Sequence, residues 1–175
     1  MKATGVVRRI DELGRIVIPK EIRKTLRIKE GENLEIYIDN ESIILKKYSS
    51  IHSLDEFAQK LTDTISNLLK KNIIITDSDS IVAISGELKK KYLGQKISDE
   101  LETIIKKRSQ ILEKNIKSIK ISEIEETGSY TYAPIIANGD VLGIVLILSK
   151  TETLSEAEEQ IVKIVANFLA KHLEQ

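Results

Sequence analysis

The chain of 175 residues contains no cysteine, so neither a disulfide nor a thiolate metal site is available to it. No apolar run approaches the ~20 residues that a membrane-spanning helix needs, and the first residues lack the apolar core of a secretory signal. With 41% hydrophobic and 31% charged residues, the composition is that of a globular protein and not of a disordered one. These absences predict a cytoplasmic protein without membrane association.

The sequence also lacks the common motifs of enzymes and nucleotide-binding proteins. It contains neither GxxxxGK[ST] nor GxGxxG, and no serine lies in a nucleophile elbow. The two histidines, His52 and His172, are far apart and have no HExxH spacing. Asp77–Asp79 lacks the further ligands of a calcium loop, and the acidic pair Glu125–Glu126 is typical of a solvated loop. We therefore predict a protein that is not an enzyme and that holds neither a metal ion nor a cofactor.

Charge is distributed unevenly along the chain, although 27 basic and 27 acidic residues give a net charge of zero. Residues 1–29 contain nine basic and three acidic side chains, a net charge of +6, and residues 30–175 carry the compensating −6. All arginines except Arg108 fall within the first 27 residues. Because a local cluster of positive charge creates the field that a polyanion senses, the N-terminal segment is a candidate nucleic-acid interface.

The thirteen residues that begin at Asp11 combine a turn, a short strand and the start of a helix. Gly14 can adopt a positive φ without a Cβ clash, which suits a tight reversal of the chain. The β-branched run Arg15–Ile18 is typical of a strand, and Pro19 suits the first turn of a helix. We therefore predict strands at residues 3–10 and 15–18, joined by a turn, and a helix over residues 20–26.

Two further strands are predicted in the N-terminal segment. Apolar and polar residues alternate over residues 34–39, and a turn at Asn40–Glu41 leads into residues 42–47. Fewer than fifty residues with four strands and one short helix rarely bury enough apolar surface to fold alone. We therefore predict an N-terminal domain over residues 1–50 that forms a dimer.

Residues 53–175 show the pattern of a folded α+β domain. Apolar residues recur at helical spacing in two segments, Thr153 and Glu156 are spaced to cap the last helix, and Asn138–Gly139 is typical of a hairpin turn. The predicted helices span residues 54–68, 98–108 and 154–173, and the predicted strands span residues 73–76, 81–85, 118–121, 130–137 and 141–148.

The run that begins at Asp11, together with residues 1–9, 34–38 and 43–48, resembles the signature of the AbrB-like DNA-binding domain of bacterial transition-state regulators and some antitoxins. The resemblance implies that two chains interleave hairpins into one swapped all-β barrel with one short helix per chain, and that its arginine face binds double-stranded DNA. It implies loosely defined, A/T-rich targets, since such proteins read DNA shape and flexibility. Five residues match the basic positions of the motif: Arg8, Arg9, Arg15, Arg23 and Lys24. Arginine suits this role because its planar guanidinium bonds phosphate oxygens or a guanine edge bidentately.

The order of helices and strands over residues 53–175 resembles a GAF-like sensor domain. That resemblance suggests an unidentified small-molecule ligand, for which Tyr92, Tyr130 and Tyr132 are candidate lining residues. The last helix has a second apolar row beside its first, which predicts helix-mediated oligomerisation. By resemblance, two dimers would join through these domains into a homotetramer that grips separated DNA sites. The second row comprises Val162, Val165, Leu169 and Leu173.

An AbrB-like segment followed by a GAF-like domain resembles transcription regulators of spore-forming bacteria. We predict a DNA-binding regulator of sporulation-stage gene expression that is associated with the nucleoid. Two alternatives stay open. The first is an autoregulating antitoxin, although antitoxins usually trail a disordered toxin-binding tail. The second is a ligand-binding signalling protein whose N-terminal domain only dimerises, and which does not bind DNA at physiological salt.

Overall fold

The computed structural model describes residues 5–49 and 51–174, apart from the side chains of His52 and Ser53. The chain divides into two units, Met1–Tyr48 and Ser49–Gln175, which we name the N-terminal unit and the C-terminal unit. Within the described residues, no helix combines the length and the apolar character needed to cross a membrane.

One short helix and one hairpin form the regular structure of the N-terminal unit. Helix α1 spans Lys20–Thr25, and strands β1 (Leu34–Asp39) and β2 (Ser42–Lys47) pair in antiparallel register. Pro19 occupies the N-cap position of α1 with a φ of −57°, one residue before the predicted place. Asn40 has a positive φ of 51°, which a two-residue hairpin turn requires.

The strands predicted at residues 3–10 and 15–18 are not formed over the described residues 5–18. Residues 5–18 belong to no strand, and residues 3 and 4 lie outside the described part. A strand is defined by ladder hydrogen bonds to a neighbour, and this segment has no second strand of its own chain beside it. The prediction of regular strands here is therefore wrong for the isolated chain.

The N-terminal unit has no buried core. None of the described residues 5–48 is buried, and large apolar side chains remain open to solvent, including Val7 (85% exposed) and Ile38 (83% exposed). Burying one such side chain contributes about 1.5–3 kcal/mol to stability. A unit that leaves all of them accessible lacks the main term that stabilises a fold.

A five-stranded antiparallel sheet forms the centre of the C-terminal unit. Its strands are β3 (Asn72–Thr76), β4 (Ile81–Ser85), β5 (Ile111–Lys120), β6 (Glu125–Ala137) and β7 (Asp140–Ser149). They lie in the order β4-β3-β7-β6-β5, so β7 is central. Both β3 and β4 are buried throughout, as expected for apolar runs covered on both faces.

Helices cover both faces of this sheet. They are α2 (Asp55–Leu69), α3 (Lys89–Tyr92), α4 (Asp99–Lys107) and α5 (Glu156–Leu173), and a 3₁₀ turn at Ile51–Leu54 precedes α2. Ala58 of α2 and Val162 of α5 belong to the same buried cluster as Ile73 of the sheet. On the other face, Leu101 of α4 packs in a second cluster with Ile74. Alternate residues of β3 therefore face opposite cores.

The last helix begins two residues later than its predicted cap. The N-cap is Ser155, and its backbone N–H donates to the Glu158 carboxylate at 2.9 Å in a capping box. The predicted cap pair of Thr153 and Glu156 is wrong, because Leu154 packs into the core and does not belong to the helix. Leu154 is 2% exposed, and its N–H donates to the Ser129 hydroxyl at 2.9 Å, so the helix starts only after it.

Candidate nucleic-acid interface

A tight turn between Asp11 and Arg15 lies in the most basic part of the chain. The Gly14 N–H donates to the Asp11 carbonyl at 2.9 Å, and the Asp11 N–H donates to the Arg15 carbonyl at 3.0 Å. Gly14 has a φ of +77°, a conformation that is strained for any residue with a Cβ. The glycine of the motif is therefore required by the geometry of the turn.

The Asp11 carboxylate organises this turn. It accepts hydrogen bonds from the Leu13 N–H at 3.0 Å, the Arg15 N–H at 2.8 Å and the Arg15 Nε at 2.7 Å. The backbone hydrogen bond from Arg15, and then the side-chain bond from the same residue, lower the pKa of Asp11. The side chain of Arg15 remains 72% exposed. One acidic residue thus fixes the turn and orients a cation that faces solvent.

Helix α1 carries two of the predicted DNA contacts in its last turn, Arg23 and Lys24. Lys24 is exposed, whereas Arg23 is half-buried. The Nε atom of Arg23 is buried and has no hydrogen-bond partner within the described residues. Because an unpaired buried donor costs about 1–3 kcal/mol, a donor in this position normally finds an acceptor, which a second chain or a ligand can supply.

Arg8 and Arg9 lie exposed on the segment that leads into the turn. One terminal nitrogen of Arg8 donates to the Val7 carbonyl at 3.1 Å. The five predicted residues therefore lie on three local elements: the segment before the turn, the turn itself and α1.

The tyrosines proposed from the sequence as pocket residues lie in or against the core of the C-terminal unit. Tyr92 is 0% exposed, and its hydroxyl donates to the Glu126 carboxylate at 2.6 Å. Tyr130 and Tyr132 stack with ring centroids 6.5 Å apart. The second face of the sheet is thus filled by the protein's own side chains around Tyr92.

Glu126 is a buried charge that the sequence did not reveal. It was predicted to lie in a solvated loop, yet its side chain is 6% exposed. Its carboxylate pairs with the Lys91 Nζ at 2.6 Å and the Lys150 Nζ at 2.9 Å. Burial alone would raise the pKa of Glu126, but the hydrogen bonds from Lys91, Tyr92 and Lys150 outweigh it and lower the pKa to about 2. Only the tertiary fold brings these partners together.

A cleft of about 300 Å³ lies beside the end of α2 and is lined by several polar residues, including Lys71 and Lys150. Lys71 already pairs with Glu152 at 3.1 Å and Glu158 at 3.4 Å, and Lys150 pairs with Glu126. These cations are therefore neutralised by the protein itself. Across the described residues, there is no group of three or more acidic or histidine side chains suited to a metal ion.

Comparison with known proteins relates both units to characterised families. A family model described as stage V sporulation protein T C-terminal, transcription factor, matches residues 53–174. A second model, described as antidote-toxin recognition MazE, bacterial antitoxin, matches residues 7–51. Stage V sporulation protein T of Bacillus subtilis (strain 168) is 49% identical over 178 residues, covering 100% of both chains. The chain belongs to the stage V sporulation protein T family.

One further relative and one solved structure are also similar to this member of the stage V sporulation protein T family. The transition state regulatory protein AbrB of Bacillus subtilis (strain 168) is 67% identical over 48 residues, which are 27% of this chain and 50% of AbrB. The cofactor-binding GAF domain of the nutrient sensor CodY from Clostridium difficile has a TM-score of 0.51 at 14% identity, covering 88% of this chain and 94% of that one. The AbrB-like N-terminal segment and the GAF-like fold are thereby confirmed.

Proposed function

We propose that this chain is a DNA-binding transcription regulator of sporulation-stage gene expression. It binds loosely defined, A/T-rich promoter DNA through Arg8, Arg9, Arg15, Arg23 and Lys24. The observation that carries the proposal is the turn at Asp11–Arg15, in which the Asp11 carboxylate accepts a hydrogen bond from the Arg15 Nε while the Arg15 side chain stays 72% exposed. Its site of action is the nucleoid, and we assign it no catalytic role and no cofactor.

Two chains form a dimer through a domain of residues 1–50, and the dimer supplies the strand pairing and the buried core that the N-terminal unit lacks. Residues 5–18 lack a neighbouring strand, and the unit buries none of its described residues. A second chain that interleaves its hairpins supplies both the missing ladder partners and the cover for exposed apolar side chains such as Val7 and Ile38. It also offers an acceptor to the buried Nε of Arg23. The dimer of N-terminal domains then carries about ten cations, five from each protomer.

A further domain, residues 53–175, joins two dimers into a homotetramer. Ile164 and Phe168 of α5 are 65% and 50% exposed, and Phe57 of α2 is 37% exposed. The rings of Phe57 and Phe168 lie 5.7 Å apart, and His172 stacks on Phe57 at 5.7 Å. We name this outer surface the aromatic face. It differs from the apolar row of Val162, Val165, Leu169 and Leu173, which packs inward in the first core cluster.

A second C-terminal domain covers the aromatic face, because such a contiguous apolar surface is costly in water. Two DNA-binding bodies held in one tetramer gain affinity through effective concentration. We assign assembly to the C-terminal domain. An unidentified small-molecule ligand of this GAF-like domain stays a prediction, with Tyr92 buried in the core and not open to such a ligand.

The two alternative functions are less well supported. An antitoxin would trail a disordered tail, whereas the residues after Ser50 form a five-stranded sheet with helices on both faces. A signalling protein that uses its N-terminal domain only for dimerisation does not require the carboxylate-held Arg15.

Fluorescence anisotropy with an A/T-rich promoter duplex tests the proposal. Arg15→Ala should weaken binding by about tenfold or more, because one arginine is removed from each protomer. Arg108→Ala is the matched control, since Arg108 is the one arginine outside the N-terminal cluster, and it should bind as the wild type does. Equal affinity of wild type and Arg15→Ala would refute the proposed DNA surface.

A further inference from the structure

We propose that Arg27 is an additional phosphate contact of the DNA-binding surface, presented by the strained end of α1. The inference rests on the proposed function, and it adds a residue that the AbrB-like motif did not indicate. Its starting point is the backbone of Arg27, which has a positive φ of 54°.

Arg27 closes helix α1 in the geometry of a Schellman motif. Its N–H donates to the Lys24 carbonyl at 3.2 Å, and the N–H of Ile28 donates to the Arg23 carbonyl at 2.7 Å. The residue between the helix and Ile28 must adopt the left-handed conformation, and glycine is the usual choice because it has no Cβ. An arginine there is strained, because its Cβ crowds the backbone in the left-handed conformation.

The same hydrogen bonds tie Arg27 to the predicted DNA contacts. The carbonyl groups that receive them belong to Arg23 and Lys24, the two cations of the last turn of α1. Arg27 is exposed, so the end of the helix presents three cations within five residues. The C-terminal end of a helix carries a partial negative charge that repels phosphate, and a cation at this position offsets that repulsion.

Two other helix ends provide matched controls. Lys70 follows α2 with a φ of 55°, and Arg108 follows α4 with a φ of 52°. Both are exposed and lie in the C-terminal unit. A basic residue in this conformation therefore also occurs where no DNA contact is proposed. The inference for Arg27 stands on its place beside Arg23 and Lys24.

The experiment compares Arg27→Gly, Arg27→Lys and Arg108→Gly in the full chain by thermal unfolding and by anisotropy over a salt series. Both glycine variants should keep or raise the melting temperature, because glycine releases the strain. Arg27→Gly alone should bind DNA about three- to tenfold more weakly. Its slope of log K against log salt should become shallower by about 0.9 for each phosphate that is no longer neutralised. Arg27→Lys should keep the wild-type slope.

Arg27→Gln, which retains the strain but lacks the charge, serves as the second variant if the glycine change disturbs the fold. It should show the same shallower slope. The wild type must first show a steep salt slope and lose affinity on Arg15→Ala. Given that result, the inference is overturned if Arg27→Gly and Arg27→Gln bind DNA with the affinity and the salt slope of the wild type. A wild type with a flat slope would instead overturn the proposed function, and this inference with it.

Discussion

The Asp11 carboxylate holds Arg15 at two points, because it accepts hydrogen bonds from the backbone N–H of Arg15 at 2.8 Å and from its Nε at 2.7 Å. The first bond closes the turn and the second sets the direction of the side chain. A negative residue inside a DNA-binding surface is electrostatically unfavourable for DNA binding. Its place in the turn is explained if orienting Arg15 outweighs that repulsion.

This relationship predicts an effect opposite to that of charge alone. Asp11→Ala removes a negative charge, yet it should weaken binding to the promoter duplex by about three- to tenfold, because the turn loosens and Arg15 loses its fixed direction. Glu12→Ala removes the same charge from the neighbouring exposed position and should bind as tightly as the wild type or slightly more tightly. Anisotropy titrations at one salt concentration compare them. Tighter binding by Asp11→Ala would contradict the orienting role.

Glu126 should be required for the stability of the C-terminal unit. Glu126→Gln leaves Lys91 and Lys150 beside a neutral amide, so it should lower the free energy of unfolding by about 2–3 kcal/mol at pH 7. Glu125→Gln, at the exposed neighbouring position, should change it by less than about 0.5 kcal/mol. Urea unfolding followed by circular dichroism measures both, and equal stability of the two variants would argue against the buried network.

The same residue makes stability depend on pH in a defined window. The pKa of Glu126 is lowered in the folded state from 4.5 to about 2, so its contribution is present above pH 4.5 and is lost as the pH falls toward 2. The difference in unfolding free energy between wild type and Glu126→Gln should therefore shrink over that window. A difference that stays constant from pH 7 to about pH 2 would show that the carboxylate charge is not the source.

Gly143 is needed because two strands approach closely. A Cβ at this position would lie 1.8 Å from the Thr76 carbonyl oxygen, so Gly143→Ala should destabilise the chain by more than about 3 kcal/mol. Gly139 has a φ of +83°, but no atom lies within 4 Å of the place that a Cβ would occupy. Gly139→Ala should therefore cost only about 1–2 kcal/mol of backbone strain. Urea unfolding in which both variants are destabilised by the same amount would contradict the close approach.

The aromatic face should control assembly. Ile164→Glu places a charge on this face at a position that is 65% exposed in the single chain, so the C-terminal unit should still fold. In sedimentation velocity the proposed tetramer should fall to dimers, because a buried unpaired charge is unfavourable at an interface. Ile124→Glu, at another exposed position (52%), should leave the tetramer intact. Tetramers of Ile164→Glu would place the interface elsewhere.

Local patterns were sufficient to predict most of the C-terminal unit. The Asn138–Gly139 hairpin is confirmed, with φ values of 50° and 83° that the short turn requires, because turn chemistry is set by the residues themselves. Strand β5 begins at Ile111 and not at the predicted residue 118, since an edge strand with exposed polar residues lacks the alternation that marks a buried strand.

Features that depend on residues distant in the chain could not be predicted from the sequence. Burial of Glu126 requires cations from α3 and from the residue after β7, which no local pattern connects. The strands that were predicted within residues 5–18 are not formed in the single chain, and no local pattern indicates this. For the candidate site, residue types and the turn were predictable. The two hydrogen bonds from Arg15 to the Asp11 carboxylate and the strained backbone of Arg27 required the structure.

The salt dependence of DNA binding tests the central claim most directly. If roughly six to eight of the cations on a dimer meet phosphates, log K for an A/T-rich duplex should fall with log salt at a slope of about −5 to −7. That result is predicted for the wild-type chain. A flat slope with weak binding would mean that the N-terminal unit serves assembly alone and would contradict the account.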